Sequence, residues 1–224
     1  MICNILKSIK FLSNYQSGRS MLEMLGVLAI VGVLSVGGIA GYSKAIEKFK
    51  VNKLLGEYNN LIMGLLEHRD SIINNMPGGM YLGNFVSSAN IAPANWKLKG
   101  IYLEDSFGNS VYPYVEEYAD TNGDKKRVGV IVYFNGQTAK GSTDVFSEDL
   151  CAEMFSNLII PLKSFVQRGY VWKSRHNSKD TLYLGDKFCT NDSKCLRNMT
   201  LNDVHAVCND CDKEHENCQI IINF

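Results

Sequence analysis

The feature that most constrains this chain is an uncharged apolar stretch from Met24 to Tyr42, which reads MLGVLAIVGVLSVGGIAGY. A helix needs roughly 20 apolar residues to cross the hydrocarbon core of a bilayer, and this stretch is about that long. A buried core helix is the alternative, but a helix that is apolar on all sides near the amino terminus is typical of a membrane span. The stretch therefore predicts a membrane-spanning helix.

The residues before this stretch predict that any cleavage leaves the span attached. Lys7, Lys10 and Arg19 make the segment basic, and it contains no acidic residue. A secretory signal peptide would instead have a shorter apolar region that ends at a small-residue cleavage site. Here the small residues Ser17-Gly18 precede the apolar stretch, so we expect a cut before the helix.

The composition indicates one globular domain behind the span and argues against a nucleic-acid partner. The chain has 224 residues, of which 46% are hydrophobic, enough for a sizeable core. Lysine plus arginine and aspartate plus glutamate both number 23, so the formal net charge is zero. No excess of basic residues predicts a surface for nucleic acid.

The cysteines predict an oxidising compartment for this domain. Cys3 precedes the apolar stretch, and six further cysteines follow it, which allows up to three disulfides in fifteen possible pairings. Lysines flank the span on both sides, so the cysteines decide the orientation, with the domain outside the cytosol and the leader inside. The six disulfide candidates are Cys151, Cys189, Cys195, Cys208, Cys211 and Cys218.

Two metal sites remain as alternatives at this point. Cys208-x-x-Cys211 with Cys189 and Cys195 has a spacing that a four-thiolate zinc site could use. The alternating oxygen ligands of the segment 120–124, DTNGD, resemble the start of a calcium loop, but the same residues favour a plain turn. We expect structural disulfides, no metal and no cofactor.

The segment Gly18-Arg19-Ser20-Met21-Leu22-Glu23, followed by the apolar stretch, resembles the prepilin processing signal of type IV pilins and secretion pseudopilins. The resemblance implies that a prepilin peptidase cuts after Gly18 and releases a leader of residues 1–18. Arg19 then becomes the new amino terminus and a candidate for N-methylation, where the family usually has an apolar residue. Glu23 falls at the fifth mature position, the family's signature acid, which pairs with the terminal amine of a neighbouring subunit.

Beyond the span the pattern becomes amphipathic and predicts that the helix continues to about Asn74, where Met76-Pro77-Gly78-Gly79 stops it. We therefore divide the chain into the leader, a membrane and assembly helix at 19–75, and a globular head at 76–224. The apolar positions of the amphipathic half recur at steps of three and four: Val51, Leu54, Leu55, Tyr58, Leu61, Ile62, Leu65 and Leu66.

The head is predicted to contain an antiparallel sheet. The runs 111–118 and 128–134 flank Asn122-Gly123, a strong hairpin signal. The segment 103–112, with Asp105, Phe107 and Gly108, resembles the pilin motif that leads into the first strand, although an ordinary loop would read the same way. A helix is expected over 146–165 with Ser147 as its N-cap and Pro161 near its end, and a strand over 219–224.

These features together predict an α+β fold, with a long amino-terminal helix packed on a small antiparallel sheet and a disulfide-rich carboxyl-terminal region. The resemblance implies a structural subunit of a type IV pilus or pseudopilus rather than an enzyme. Its partners would be copies of itself, other pilins, the prepilin peptidase, an inner-membrane assembly platform and, before assembly, membrane lipid. The alternatives are a membrane-anchored binding module and, with the least support, a tethered thiol or zinc enzyme.

Overall fold

The computed structural model describes residues 21–120, 123–134, 147–173, 181–209 and 218–224, with the backbone alone at Leu22, Asp120, Gly123, Asp124 and Lys173. The described chain has the expected α+β architecture, with one long helix followed by an antiparallel sheet and disulfides. It divides into two compact units: the first ends at Phe49, and the second runs from Lys50 to Phe224. The second unit therefore includes the amphipathic half of the predicted helix as well as residues 76–224, and it is called the head from here on.

Helix α1 runs from Met21 to Glu67, and α2 follows at Arg69–Asn75. The predicted helix therefore reaches the expected end, with one interruption at His68, where the backbone leaves helical geometry (φ −97°, ψ 4°). Met76 is extended (φ −105°, ψ 140°), the conformation that a following proline imposes on its neighbour. The predicted stop at residues 76–79 is confirmed.

Within the head, the amphipathic half of α1 packs one face into the core. Leu54, Tyr58, Leu61 and Leu65 are almost completely buried, at the spacing that places them on one side of the helix. They join one hydrophobic cluster with the inward-facing strand residues. Burial of each such side chain stabilises the fold by about 1.5–3 kcal/mol, which makes this face the main attachment of the helix to the sheet.

The described residues form one sheet of seven antiparallel strands: β1 (Lys97–Lys99), β2 (Tyr102–Glu104), β3 (Ser110–Asp120), β4 (Gly123–Tyr133), β5 (Arg168–Lys173), β6 (Tyr183–Leu184) and β7 (Cys218–Asn223). Their order in the sheet is β1-β2-β3-β4-β7-β5-β6. The predicted hairpin is confirmed, because β3 and β4 pair along eleven residues each, with Asp120 opposite Gly123.

Strand β7 is the strand expected near residues 219–224, but it lies inside the sheet. It pairs with β4 on one side and with β5 on the other, and all six of its residues are buried. A strand that is buried on both faces has a continuous run of apolar residues in its sequence, and β7 has such a run at Ile220-Ile221-Ile222.

Besides α2, the described part of the head contains three short α-helices: α3 (Gly83–Ser88), α4 (Glu148–Met154) and α5 (Leu201–Asn209). Ser147 caps α4 as predicted, because its side chain accepts a hydrogen bond from the Leu150 amide at 3.3 Å. The helix continues as a π-helical turn at Phe155–Ile159 and ends beside Pro161, which has no amide hydrogen to extend it.

Candidate assembly segment and the surface sites of the head

The first half of α1 is an exposed apolar helix. Twelve large apolar side chains between Met21 and Tyr42 are 52–84% exposed. The helix is long and apolar enough to cross a membrane, and none of its apolar window is buried within the chain. So large an apolar surface is not stable against water, and it therefore requires lipid or other apolar helices around it.

Glu23 is exposed in the first turn of α1. The next charged residue along the chain is Lys44, so Glu23 is the single acid at the amino-terminal end of the apolar segment. A carboxylate in the first turn is stabilised by the helix dipole. Gly18 and Arg19, the expected cleavage position and new amino terminus, lie outside the described residues.

The cysteines within the described residues are in disulfides. Cys151 bonds to Cys208 and so joins α4 to α5, while Cys189 bonds to Cys195 across a short loop. Cys218 is also disulfide-bonded. Cys211 itself lies outside them.

Neither metal alternative gains support from the described residues. The zinc alternative is wrong for its predicted ligands, because Cys189, Cys195 and Cys208 are held in disulfides and provide no thiolates. The described residues contain no group of three or more histidine, cysteine, aspartate or glutamate side chains that could hold a metal ion. The side chains of the suggested calcium loop, at residues 120–124, lie outside the description.

A buried carboxylate in α1 connects this helix to the loop before β1 and to the turn between β2 and β3. Glu57 is 8% exposed and accepts hydrogen bonds from Trp96 Nε1 at 2.8 Å, Asn95 Nδ2 at 2.9 Å and Ser106 Oγ at 2.5 Å. Burial alone would raise the pKa of Glu57, but these hydrogen bonds and nearby Lys53 lower it below its ordinary value. Glu57 lies between the apolar positions of the amphipathic helix, and the structure buries it.

The next residue of α1 makes a second connection, to the turn between β2 and β3. Tyr58 Oη donates to Asp105 Oδ2 at 2.9 Å, and Asp105 also accepts the amides of Phe107 and Asn109. Burial raises the pKa of Asp105, and its hydrogen bonds offset this only in part. The middle of the predicted strand-entry segment is thus a turn, completed by Gly108 at φ 85°, that is fixed to α1. The strand that it enters is β3, which follows β1 and β2 and is therefore not the first strand that the resemblance had implied.

The face of the sheet opposite the core carries a cluster of tyrosines, here called the tyrosine face: Tyr81, Tyr102, Tyr112 and Tyr133. Tyr112 lies at its centre, with ring centroids 4.9 Å from Tyr102, 5.4 Å from Tyr133 and 5.6 Å from Tyr81. Burial and the neighbouring tyrosines raise the pKa of Tyr112 to about 12, so its hydroxyl keeps its proton at neutral pH. This cluster was not predicted, although Tyr112 and Tyr114 alternate along β3 as side chains on one face do.

Beside the tyrosine face lies an ion-pair network. Glu116 accepts hydrogen bonds from Arg127 Nε at 2.8 Å and from Arg168 Nη2 at 3.0 Å. Asn223 accepts from Arg168 Nε at 2.8 Å and donates to Tyr114 Oη at 2.8 Å. Burial would raise the pKa of Glu116, but the two arginines lower it, so this carboxylate is ionised at neutral pH.

No protein-family model, curated protein or solved structure matches this chain. The architecture itself is pilin-like. A long apolar amino-terminal helix is followed by an antiparallel sheet with disulfides in its carboxyl-terminal region. The exposed apolar helix and the disulfides together indicate a membrane-anchored protein whose head lies outside the cytoplasm.

Proposed function

We propose that this chain is a structural subunit of a type IV pilus or a related filament and that it polymerises through α1. The observation that carries the proposal is the exposed apolar segment of α1 with a single acid in its first turn. A membrane anchor requires only the apolar length. Glu23 adds a charge that a simple anchor does not need and that costs free energy beside the apolar core of a membrane.

The acid is costly where the helix is surrounded by apolar groups. A carboxylate at the centre of a membrane helix costs roughly 2.5–3.5 kcal/mol, and less near an end. Cleavage after Gly18 would create a positively charged amine at Arg19, and the amine of a neighbouring subunit could pair with Glu23 during assembly. That pairing would offset the cost and fix the position of one subunit against the next.

In this proposal the chain performs no chemistry of its own. A prepilin peptidase removes the leader, the apolar half of α1 holds the subunit in the inner membrane, and an assembly platform moves it into the filament. The disulfides keep the head folded outside the cytoplasm. Major pilin, minor pilin and pseudopilin share this mechanism.

The first experiment determines the mature amino terminus by mass spectrometry of protein purified from cells with and without a prepilin peptidase. We expect a start at Arg19, with or without a methyl group, only when the peptidase is present. An intact leader in peptidase-positive cells, or a cut beyond Tyr42, would contradict the proposal.

The second experiment tests the acid directly. Glu23→Ala should remove filaments from the sheared surface fraction and leave the cleaved subunit in the membrane. Glu47→Ala is the matched control, because Glu47 is an exposed acid on the same helix beyond the apolar stretch, and it should leave filaments intact. Normal filaments from Glu23→Ala would favour the second candidate, a membrane-anchored binding module, which the tyrosine face of the head supports.

A further inference from the structure

A groove of about 740 Å³ lies at the carboxyl-terminal end of α1 on the surface of the head. Its apolar lining comes from three parts of the chain: Met63 and Leu66 of α1, Ile91 of the segment after α3, and Phe165 of the segment before β5. Met63 and Phe165 are 44% and 54% exposed. The groove is therefore an apolar surface that is open to solvent.

The wall that Ile91 forms is packed tightly against α1. A Cβ at Gly64 would lie 2.6 Å from Ile91 Cγ2, so the glycine leaves the room that Ile91 needs beside the helix. Asn90, which precedes Ile91, has a left-handed backbone (φ 53°), a conformation that asparagine adopts more readily than most residues. We therefore expect the groove to be formed before anything binds in it.

The openness of the groove to solvent suits a protein surface rather than a small molecule. Sites for small molecules enclose roughly 70–90% of the ligand surface. Here six of the ten lining residues are exposed: Asn60, Met63, Glu67, Ala89, Asn90 and Phe165. Such a surface can be covered by one face of another helix.

The charge of the groove favours a basic partner. Glu67 supplies a carboxylate, and no lysine or arginine occurs among the described residues that line the groove. Arg69 follows Glu67 closely, but it lies 3.3 Å from the carboxylate of Asp70, which balances its charge. The matching surface should therefore combine a large apolar side chain with neighbouring basic residues.

The chain itself has such a surface around Phe49. Phe49 is 66% exposed on α1, and Lys48 and Lys50 flank it in the sequence. It lies seven residues beyond Tyr42, where the apolar stretch ends. An aromatic side chain that is exposed between lysines is a suitable anchor for a contact between proteins, because aromatic residues contribute strongly to such contacts.

We propose that the groove binds the Phe49 segment of a second copy of this chain. The ring of Phe49 packs against Met63 and Phe165, and the flanking lysines lie near Glu67. Phe49 and the groove are different surfaces, so a copy that binds one neighbour through Phe49 keeps its groove for another. Contacts of this kind continue into an open helical filament unless they close into a ring. The proposal rests on the filament function proposed above, for which it supplies a contact of the head.

The test is photo-crosslinking of the full chain in cells. The photoreactive residue p-benzoylphenylalanine replaces Met63 or, separately, Phe165, and sheared filaments and membranes are separated after irradiation. Digestion at glutamate releases the Phe49 segment as the peptide 48–57. We expect adducts of two chains that contain this peptide. The same replacement at Phe188, which is 44% exposed and does not line the groove, should not give them.

Variants of the labelled chain test the two kinds of contact. Phe49→Ala should lower the yield of the two-chain adduct by about tenfold, since aromatic anchors dominate such contacts. Glu67→Lys should lower it by roughly two- to fivefold, because exposed ion pairs are weak, and adding Lys48→Glu with Lys50→Glu should restore it. Asp192→Lys, at an exposed acid outside the groove, is the matched control and should leave the yield unchanged. Thermal unfolding shows that the head of each variant remains folded.

Three results would overturn the contact: no two-chain adduct that contains the peptide, adducts with another protein or with lipid only, and a yield that Phe49→Ala does not change. If filaments form in these cases, the filament proposal stands without this contact. If the unaltered chain forms no filaments, the filament proposal fails. Two-chain adducts with the peptide in the membrane fraction would then still support the contact, and their absence there would overturn it as well.

Discussion

The two described disulfides differ in the length of chain that they enclose, and this predicts unequal effects on stability. Cys151 and Cys208 are separated by 57 residues, whereas Cys189 and Cys195 are separated by 6. A disulfide restricts the unfolded chain more when its loop is longer. By the loop-entropy relation, the disulfide that closes the long loop stabilises the folded state by about 4 kcal/mol, and the one that closes the short loop by about 2 kcal/mol, at 25 °C.

The perturbation is the paired replacement Cys151→Ala with Cys208→Ala, compared with Cys189→Ala with Cys195→Ala as the matched control. We expect the first pair to lower the free energy of unfolding by about 2 kcal/mol more than the second. The long-loop disulfide also joins α4 to α5, and Cys151 and Cys208 are both buried, so lost packing acts in the same direction.

The assay is urea unfolding of the full chain in detergent, followed by tryptophan fluorescence. Both tryptophans, Trp96 and Trp172, lie in the head, and Trp96 is buried, so their emission reports unfolding of that unit. Equal losses for the two pairs, or a larger loss for Cys189 with Cys195, would refute the loop-length reasoning.

Two further predictions concern buried carboxylates and close packing. Glu57 and Glu116 have pKa values below the ordinary carboxyl value, so the stability that they contribute is present above that value and is lost as the pH falls through their pKa in the folded state. Asp105 has a raised pKa, so its ionisation as the pH rises lowers the stability of the head. Glu57→Gln should therefore flatten the dependence of the urea midpoint on pH between about 3 and 6, and an unchanged slope would contradict the role of Glu57. Gly185→Ala would place a Cβ 1.7 Å from the Val166 carbonyl oxygen and should destabilise the head by about 3 kcal/mol or more. In Gly56→Ala the added Cβ has no atom within 4 Å on the exposed side of α1, and the substitution should stabilise the head by about 0.5–1 kcal/mol. Similar thermal midpoints for Gly185→Ala and Gly56→Ala would contradict the close packing around Gly185.

Features set by neighbouring residues could be predicted from the sequence. Ser147 caps α4 because a side-chain oxygen at that position accepts an amide from the next turn, and Asn122-Gly123 joins two strands that lie side by side. The apolar face of α1 followed directly from its periodicity. The stop after α2 followed from Pro77.

Features that depend on residues far apart in the chain could not be predicted from the sequence. Glu57 looks like a surface charge in a helical pattern, and its burial depends on Trp96, which lies 39 residues further along the chain. The central position of β7 depends on pairing with both β4 and β5, and no local pattern specifies which strands become neighbours. The tyrosine face likewise depends on Tyr81, which forms an isolated antiparallel bridge with Tyr114, 33 residues further along the chain.

The place of β7 has a consequence for the order in which the head can form. Among the described strands, β5 and β6 join the rest of the sheet only through β7, which comes after both of them along the chain. Until residues 218–223 are present, β1 to β4 can form local hairpins, but the β5–β6 pair has no strand that joins it to them. The head therefore cannot complete its fold stepwise as the chain crosses the membrane, and proteins that bind exposed strand edges would have their opportunity in that interval.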